Sequence, residues 1–120
     1  MTRSVTLSVL WIPPPEVRGN SRAHWRTKYD KNLLLKQSGV EQTLICPETF
    51  QKARITYIWY KAGVGDVDNF AIGMKGFLDG LVLGNMFRDD SSDCIVQGEH
   101  RFEKVKRVEE RTEIIVEELD

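Results

Sequence analysis

The fold is decided by the stretch from Ala53 to Gly84, ARITYIWYKAGVGDVDNFAIGMKGFLDGLVLG, which also holds most of the candidate chemistry. Its first nine residues, Ala53–Lys61, are rich in β-branched and aromatic side chains, a composition typical of a strand. From Asn69 to Leu83, apolar residues recur near helical spacing and predict an amphipathic helix. Gly84-Asn85 is a typical helix stop. The stretch therefore predicts a strand, a short polar loop and a helix.

The same patterns extend outward from this stretch. Alternation over Val5–Ile12 predicts a strand, and the following prolines end it because proline has no N–H to donate. Apolar residues at helical spacing over Lys28–Leu44 predict a first helix. Two late strands, Cys94–Lys106 and Thr112–Glu118, are predicted to pair as a hairpin across a polar turn at Val108–Arg111. The predicted fold is α+β, in the order β-α-β-α-β-β, with helices packed against a mixed sheet.

Length and composition exclude several classes of protein. A chain of 120 residues suits one domain, residues 1–120, and 41% hydrophobic with 29% charged residues excludes a disordered or collagen-like chain. No run approaches the roughly 20 apolar residues of a membrane helix, so we expect no membrane partner. The first residues show no secretion signal, so we expect a cytoplasmic location. Cys46 and Cys94 lack metal-site spacing and are expected as reduced thiols.

The charges are distributed unevenly along the chain. Residues 1–65 contain ten Lys/Arg and four Asp/Glu, whereas residues 66–120 contain seven and fourteen. The window Arg18–Lys36 alone has six basic residues and one acid, Asp30. Such a window is either a solvated surface or an arm that binds anions, because clustered Lys/Arg supply phosphate contacts. Trp25, inside this window, is either a core residue or a side chain that stacks on an unpaired base.

Two carboxylates, Asp66 and Asp68, lie between the predicted strand and the second helix. If the strand stays extended through them, both point to the same side. Like charges so close are unfavourable unless a cation lies between them, and carboxylate oxygens suit Mg²⁺ or Mn²⁺. The alternative is that Asp68 or Asn69 only caps the helix.

Two further features follow along the chain. Helical geometry places Lys75 and Asp79 on one stripe with Asp68, so that the lysine reaches back toward the carboxylates. Its alternative role is an ion pair with Asp79 one turn later. After the helix, residues 87–93 (FRDDSSD) supply a second acidic cluster that either returns to the strand–helix junction or is a solvated turn.

Other kinds of site are excluded by their spacing. Counted from Asp66 as a calcium loop, the sixth residue is Ala71 instead of glycine and the twelfth is Phe77 instead of glutamate. The chain has no glycine-rich phosphate loop and no nucleophile elbow. The two histidines lack a paired metal spacing, and His24 is the better candidate for function because it lies in the basic window.

Taken together, these residues resemble the RusA-type Holliday-junction resolvases, which occur in phages, prophages and bacteria. The acidic part of the resemblance consists of Asp66-Val67-Asp68-Asn69, Lys75, Phe77-Leu78-Asp79-Gly80-Leu81, Asp89-Asp90 and Ile95-Val96. The N-terminal part consists of Ile12-Pro13-Pro14-Pro15, Asn20-Ser21-Arg22 and His24-Trp25. The resemblance spans nearly the whole chain, from Val5 to about Val116, and implies a RusA-like fold.

The resemblance implies a homodimeric endonuclease that cuts four-way DNA junctions in recombination and repair, with Mg²⁺ or its substitute Mn²⁺. The implied catalytic metal ligands are Asp66, Asp68 and Asp90, and the implied catalytic lysine is Lys75. The implied supporting residues are Asn69 and Asp79, together with Asp89 as the alternative ligand to Asp90. The residues expected to contact branched DNA are Arg18, Asn20, Arg22, His24, Arg26 and Lys28. The expected setting is a bacterial cytoplasm, with phage or prophage origin.

Two other functions remain open from the residues. One is a branched-DNA-binding protein with the same fold and no catalysis, and the other is a metal-dependent nuclease of flaps or other branched DNA. The joint presence of three carboxylates and a lysine favours an enzyme, because a pure binding protein has little physical reason to keep mutually repelling carboxylates. Convergence of the three carboxylates would support an enzyme, whereas Asp66 and Asp68 on opposite faces, or Asp90 far from both, would contradict one.

Overall fold

The computed structural model describes residues 2–120 and contains five strands and three α-helices in that range. The strands are β1 (Ser4–Val9), β2 (Ala53–Lys61), β3 (Ile95–Gln97), β4 (Arg101–Lys104) and β5 (Arg111–Glu118). The helices are α1 (Trp25–Ile45), α2 (Val67–Gly73) and α3 (Lys75–Leu83), with short 3-10 turns at Pro15–Val17 and Arg107–Glu109. The predicted α+β class with a mixed sheet is confirmed, and the limits of β2 are those predicted.

The sheet is organised around β2. Strand β5 lies between β1 and β2 and is antiparallel to both, whereas β3 and β4 pair in parallel with the other edge of β2. The predicted hairpin of the late strands is therefore wrong, because β4 and β5 lie on opposite sides of β2. The chain between them wraps around the end of β2, where Val105 N–H donates to the Lys61 carbonyl and Ala62 N–H to the Glu110 carboxylate.

The core lies on one face of this sheet. Alternate residues of β2, from Ile55 to Trp59, point inward and belong to one buried core cluster with Phe77 and Leu81 of α3. The other face carries charged residues such as Arg54 and Glu117. Helices α2 and α3 therefore cover one side of β2, and the loop before β3 returns to the start of α3, where Asp90 contacts Lys75.

The predicted helix over Asn69–Leu83 starts two residues earlier and is interrupted at Met74. The Met74 N–H donates to the carbonyl of Ala71, three residues back, so the chain tightens into a single 3-10 turn between α2 and α3. The Met74 side chain is completely buried, and its packing holds this turn in place. The predicted stop is confirmed, because α3 ends at Leu83 and Asn85 has a left-handed φ of 68°.

Helix α1 packs directly on α3. The two helices run in the same direction, since Asn32 lies beside Gly76 and Thr43 beside Gly84. They cross where Gly39 meets Gly80, and a Cβ on either glycine would collide with backbone atoms of the other helix. Within residues 2–120, none of the helices has the length and apolarity needed to span a membrane.

Candidate functional site

The junction between β2 and α2 is built differently from the prediction. Strand β2 ends at Lys61, and Asp66 is the N-cap of α2, its Oδ1 accepting the Asn69 N–H at 3.0 Å. Asp68 therefore lies in the first helical turn rather than in an extended strand. The prediction that Asp68 or Asn69 caps the helix is wrong, because Asp66 satisfies the free N–H group from outside the helix.

Three of the predicted catalytic residues line one open cleft of about 530 Å³: Asp68, Lys75 and Asp90. The Lys75 ammonium lies between two carboxylates, with Nζ 2.8 Å from Asp79 Oδ1 and 2.5 Å from Asp90 Oδ2. The acidic loop thus returns to the helix and contacts the lysine. The Asp68 side chain is exposed and lines the same cleft.

The charges of this cluster are mutually stabilised. Hydrogen bonds to Asp79 and then to Asp90 raise the pKa of Lys75, so the ammonium stays charged over the physiological range. The same contact with Lys75 lowers the pKa of Asp90. The ion pair between Lys75 and Asp90 therefore favours the charged form of both groups.

Asp89 and Asp93 differ from Asp90 in what they contact. Asp89 Oδ1 accepts the Ser91 N–H at 2.9 Å, and its bonds to Ser91 lower its pKa to about 2. Its other oxygen lies 3.4 Å from Arg88 Nε. Asp93 lines a separate cleft beside Lys52 and Arg88. Of the three acids in this loop, Asp90 is the one that reaches Lys75.

Tyr57, Gln97 and His100 also line the cleft, and the sequence did not single them out. His100 Nδ1 accepts the backbone N–H of Tyr57 at 3.0 Å, and Nε2 lies 2.8 Å from Gln97 Oε1. The imidazole thus accepts a β2 N–H at the gap between β3 and β4, in place of a backbone carbonyl. Burial of the imidazole lowers its pKa. No local pattern could indicate this role, because it depends on the parallel pairing of distant strands.

Asp66 and Asn69 line a second, smaller cleft beside the first turn of α2. Two of the predicted DNA-binding residues, Arg18 and Asn20, border it as well. Arg18 also stabilises the fold, since its guanidinium stacks on Phe70 at 4.2 Å and its Nε donates to the Pro13 carbonyl. This residue is therefore partly held by protein contacts.

The remaining predicted DNA-binding residues surround the start of α1. Arg22, His24 and Arg26 are exposed, and His24 caps the helix by accepting the Arg26 N–H on Nδ1 at 3.1 Å. Lys28 Nζ donates to the Ser21 carbonyl at 3.2 Å. His24 therefore has a structural role at the helix start, and Trp25 is exposed instead of joining the core.

Residues 2–120 contain no group of three His, Cys, Asp or Glu side chains arranged to hold a metal ion. Asp66 borders its own cleft, so the predicted three-carboxylate set is not brought together. Asp68 and Asp90 nevertheless fit the needs of Mg²⁺, which binds through one or two carboxylates and completes its shell with water and substrate phosphate. The open cleft that Asp68 and Asp90 line leaves space for the water and the phosphate.

Comparison with known proteins adds no relative. No family model matches the chain, and no curated protein shows significant similarity to it.

Proposed function

We propose that this protein is a divalent-metal-dependent endonuclease of the RusA type that resolves four-way DNA junctions. The observation that carries the proposal is the open cleft lined by Asp68, Asp90 and the charged Lys75, with Asp90 bonded to the lysine. Carboxylates, a lysine and solvent access together are what phosphodiester hydrolysis requires. The N-terminal residues that resemble the family belong to the basic first half of the sequence, and this supports DNA as the substrate.

Asp68 and Asp90 would hold the Mg²⁺ ion in this proposal. Asp66 is a third candidate ligand through the carboxylate oxygen that is not bonded to Asn69. The bound ion would neutralise charge on the scissile phosphate and make water a better nucleophile.

In this proposal, Lys75 acts on the scissile phosphate. The ammonium would offset the negative charge that develops on the phosphate oxygens as water attacks. The bond from the water oxygen to phosphorus forms, the bond from phosphorus to the 3′ oxygen breaks, and the 3′ oxygen takes up a proton. The expected products are a 5′-phosphate and a 3′-hydroxyl. Asp79 holds Lys75 in place, so we propose it as a positioning residue.

Resolution of a four-way junction requires two symmetric cuts. A twofold homodimer supplies two equivalent clefts, and we propose this assembly for the active protein. The exposed Arg22 and Arg26 would contact phosphates, which position DNA without reading its sequence.

The test is cleavage of a labelled immobile four-way junction in Mg²⁺, with linear duplex and metal-free reactions as controls. We expect wild-type protein to make paired nicks, and Asp68→Asn and Asp90→Asn to reduce the rate by about a hundredfold or more. Asp93→Asn is the matched control, because it removes the same charge from the same loop but borders another cleft.

Three outcomes would contradict the proposal in different ways. Equal cutting by wild type and Asp68→Asn would place the metal site elsewhere. Junction binding without cutting would indicate the branched-DNA-binding protein without catalysis. Equal cutting of linear duplex and junction would remove the specificity for branched DNA.

A further inference from the structure

Two large aromatic side chains at the start of α1 are exposed. Trp25 is 65% exposed and Tyr29 is 57% exposed, whereas Trp59 in the core is completely buried. Aromatic rings normally contribute most when they are buried, because each can remove 150–250 Å² of mostly apolar surface from water. Two such rings one helical turn apart form a surface that lacks a partner within residues 2–120.

The packing of α1 explains this exposure. Because α1 and α3 run in the same direction and first meet where Asn32 lies beside Gly76, the two turns of α1 before Asn32 extend past the start of α3. Trp25 and Tyr29 belong to these two turns. Neither ring is needed to fill the core.

The charge around these rings favours an anionic partner. The guanidinium of Arg26 lies 5.1 Å from the centre of the Trp25 ring, and the His24 ring lies 5.5 Å from it. Arg22 is exposed nearby in the chain. Aromatic faces interleaved with basic side chains are typical of proteins that bind single-stranded nucleic acid by stacking on its bases.

Tyr29 links the aromatic pair to the candidate active site, because it shares a groove with Lys75. A groove of about 230 Å³ is lined by Tyr29, Leu33 and Lys36 of α1 and by Lys75 and Asp79 of α3. Lys75 also lines the larger cleft with Asp68 and Asp90. A nucleic-acid strand whose phosphate lies at Lys75 therefore has an exposed tyrosine within reach of the neighbouring bases.

We propose that Trp25 and Tyr29 form a stacking platform for unpaired nucleobases, next to the cleft that contains Lys75. The preferred ligand is a single-stranded segment of DNA, such as the unpaired bases at an opened branch point. This inference rests on the proposed function for the identity of the strand as DNA, and it adds a selection for unpaired bases that phosphate contacts alone do not give.

The test measures base-dependent binding separately from catalysis. A dye-labelled oligothymidine of about 12 nucleotides and an all-abasic strand of equal length are titrated in EDTA, with fluorescence anisotropy as the readout. The two strands have the same phosphates and differ only in their bases. We expect wild type to bind oligothymidine about tenfold or more tightly than the abasic strand.

The variants Trp25→Ala and Tyr29→Ala should lose most of this preference while their affinity for the abasic strand stays unchanged. Leu44→Ala is the matched control, because Leu44 is 77% exposed at the other end of the same helix. Far-UV circular dichroism and the Tm of each variant check that the helix remains folded.

Two results would overturn the inference. One is a base preference that is missing from wild type or retained in both aromatic variants. The other is a change from dimer to monomer in sedimentation equilibrium with base preference intact, which would make this surface a contact between two copies. Because EDTA prevents cleavage, failure of the junction assay leaves this test unaffected, and failure of this test leaves the cleavage proposal standing.

Discussion

At the scale of single residues, the cleft has more acid than base. Asp68 and Asp90 line the cleft together with Lys75, and Asp79 bonds the Lys75 ammonium from the neighbouring groove. A phosphate that enters such a cleft is repelled unless a cation arrives first, because like charges at short range raise each other's energy. In the proposed reaction, a divalent metal ion would therefore have to bind before the phosphate.

Asp66 has two proposed roles that substitution can separate. Asn is as good an N-cap as Asp, so Asp66→Asn should leave the free energy of unfolding nearly unchanged. Asp66→Ala should lower the free energy of unfolding by about 1 kcal/mol through loss of the cap. If Asp66 is also a metal ligand, both variants should lose junction cleavage.

Urea unfolding and the junction assay measure the two effects of Asp66 independently. Full cleavage by Asp66→Asn would leave Asp66 with its capping role alone.

His100 should make the fold sensitive to mild acid. Its pKa is lowered from 6.5 in the folded protein, because burial disfavours the charged ring. The unfolded chain therefore takes up a proton that the folded chain does not, and the free energy of unfolding should fall as pH drops below about 6.5. We expect urea unfolding of wild type to show this loss as the pH falls below about 6.5, and His100→Gln to lack it. An equal pH dependence in both proteins would contradict the role of His100.

At the scale of elements, the position of α1 depends on close contact between two helix backbones. Gly39 and Gly80 allow α1 and α3 to approach until backbone meets backbone. This contact sets how far Tyr29 lies from Lys75, since one residue is on each helix. The groove between Tyr29 and Lys75 therefore depends on glycine, which has no side chain, at both positions of the helix crossing.

The substitution Gly39→Ala tests this contact. A Cβ at this position would collide with the Phe77 carbonyl oxygen and the Gly80 backbone, which cannot move without separating the helices. The gain in helix propensity, at most about 1 kcal/mol, is smaller than the cost of overpacking. We expect the free energy of unfolding to fall by about 1–3 kcal/mol in urea titrations. Gln37→Ala, an exposed position of α1, is the control, and an equal effect there would contradict the explanation.

The sequence predicts elements better than it predicts their partners. β2 was predicted with its correct limits because its apolar and β-branched run is a local signal. The pairing of β3 and β4 with β2 was missed, because strand pairing depends on tertiary packing that adjacent residues do not encode. The turn at Met74 has the same origin, since a buried methionine within an apolar helical pattern shows no break.

The candidate site shows the same difference between local features, which the sequence predicts, and long-range contacts, which it does not. The contact between Lys75 and Asp79 follows from helical spacing and was an expected alternative, whereas Asp66 as cap depends on where β2 stops. His100 enters the cleft only because β3 and β4 pair in parallel with β2. Local spacing thus indicates neighbours on one helix, and long-range topology supplies the rest.

At the scale of the whole molecule, the charge is divided between the two halves of the sequence. The near-neutral total of −1 conceals a basic first half and an acidic second half. The exposed arginines near the start of α1 belong to the basic half, and the carboxylates of the cleft belong to the acidic half. Net charge is therefore a poor indicator of DNA binding for this chain.

The salt dependence of DNA binding tests this division. The double variant Arg22→Gln/Arg26→Gln should reduce the slope of log K against log salt by about 2, because each lost phosphate contact releases one counterion fewer. Lys104→Gln/Lys106→Gln is the control, since it removes two exposed positive charges from the acidic half. Equal slopes for the two double variants, measured with a four-way junction in EDTA, would show that only overall charge matters.

The central place of β5 has a consequence for synthesis of the protein. β1 and β2 do not pair with each other, and both depend on β5, whose residues are translated about a hundred positions after β1. A nascent chain that has emerged only as far as β4 therefore exposes one edge of β2 and one of β1, the kind of surface that aggregates or binds chaperones. Of the five described strands, β5 is translated last and joins β1 to β2, so the sheet cannot be completed before Arg111–Glu118 has been translated.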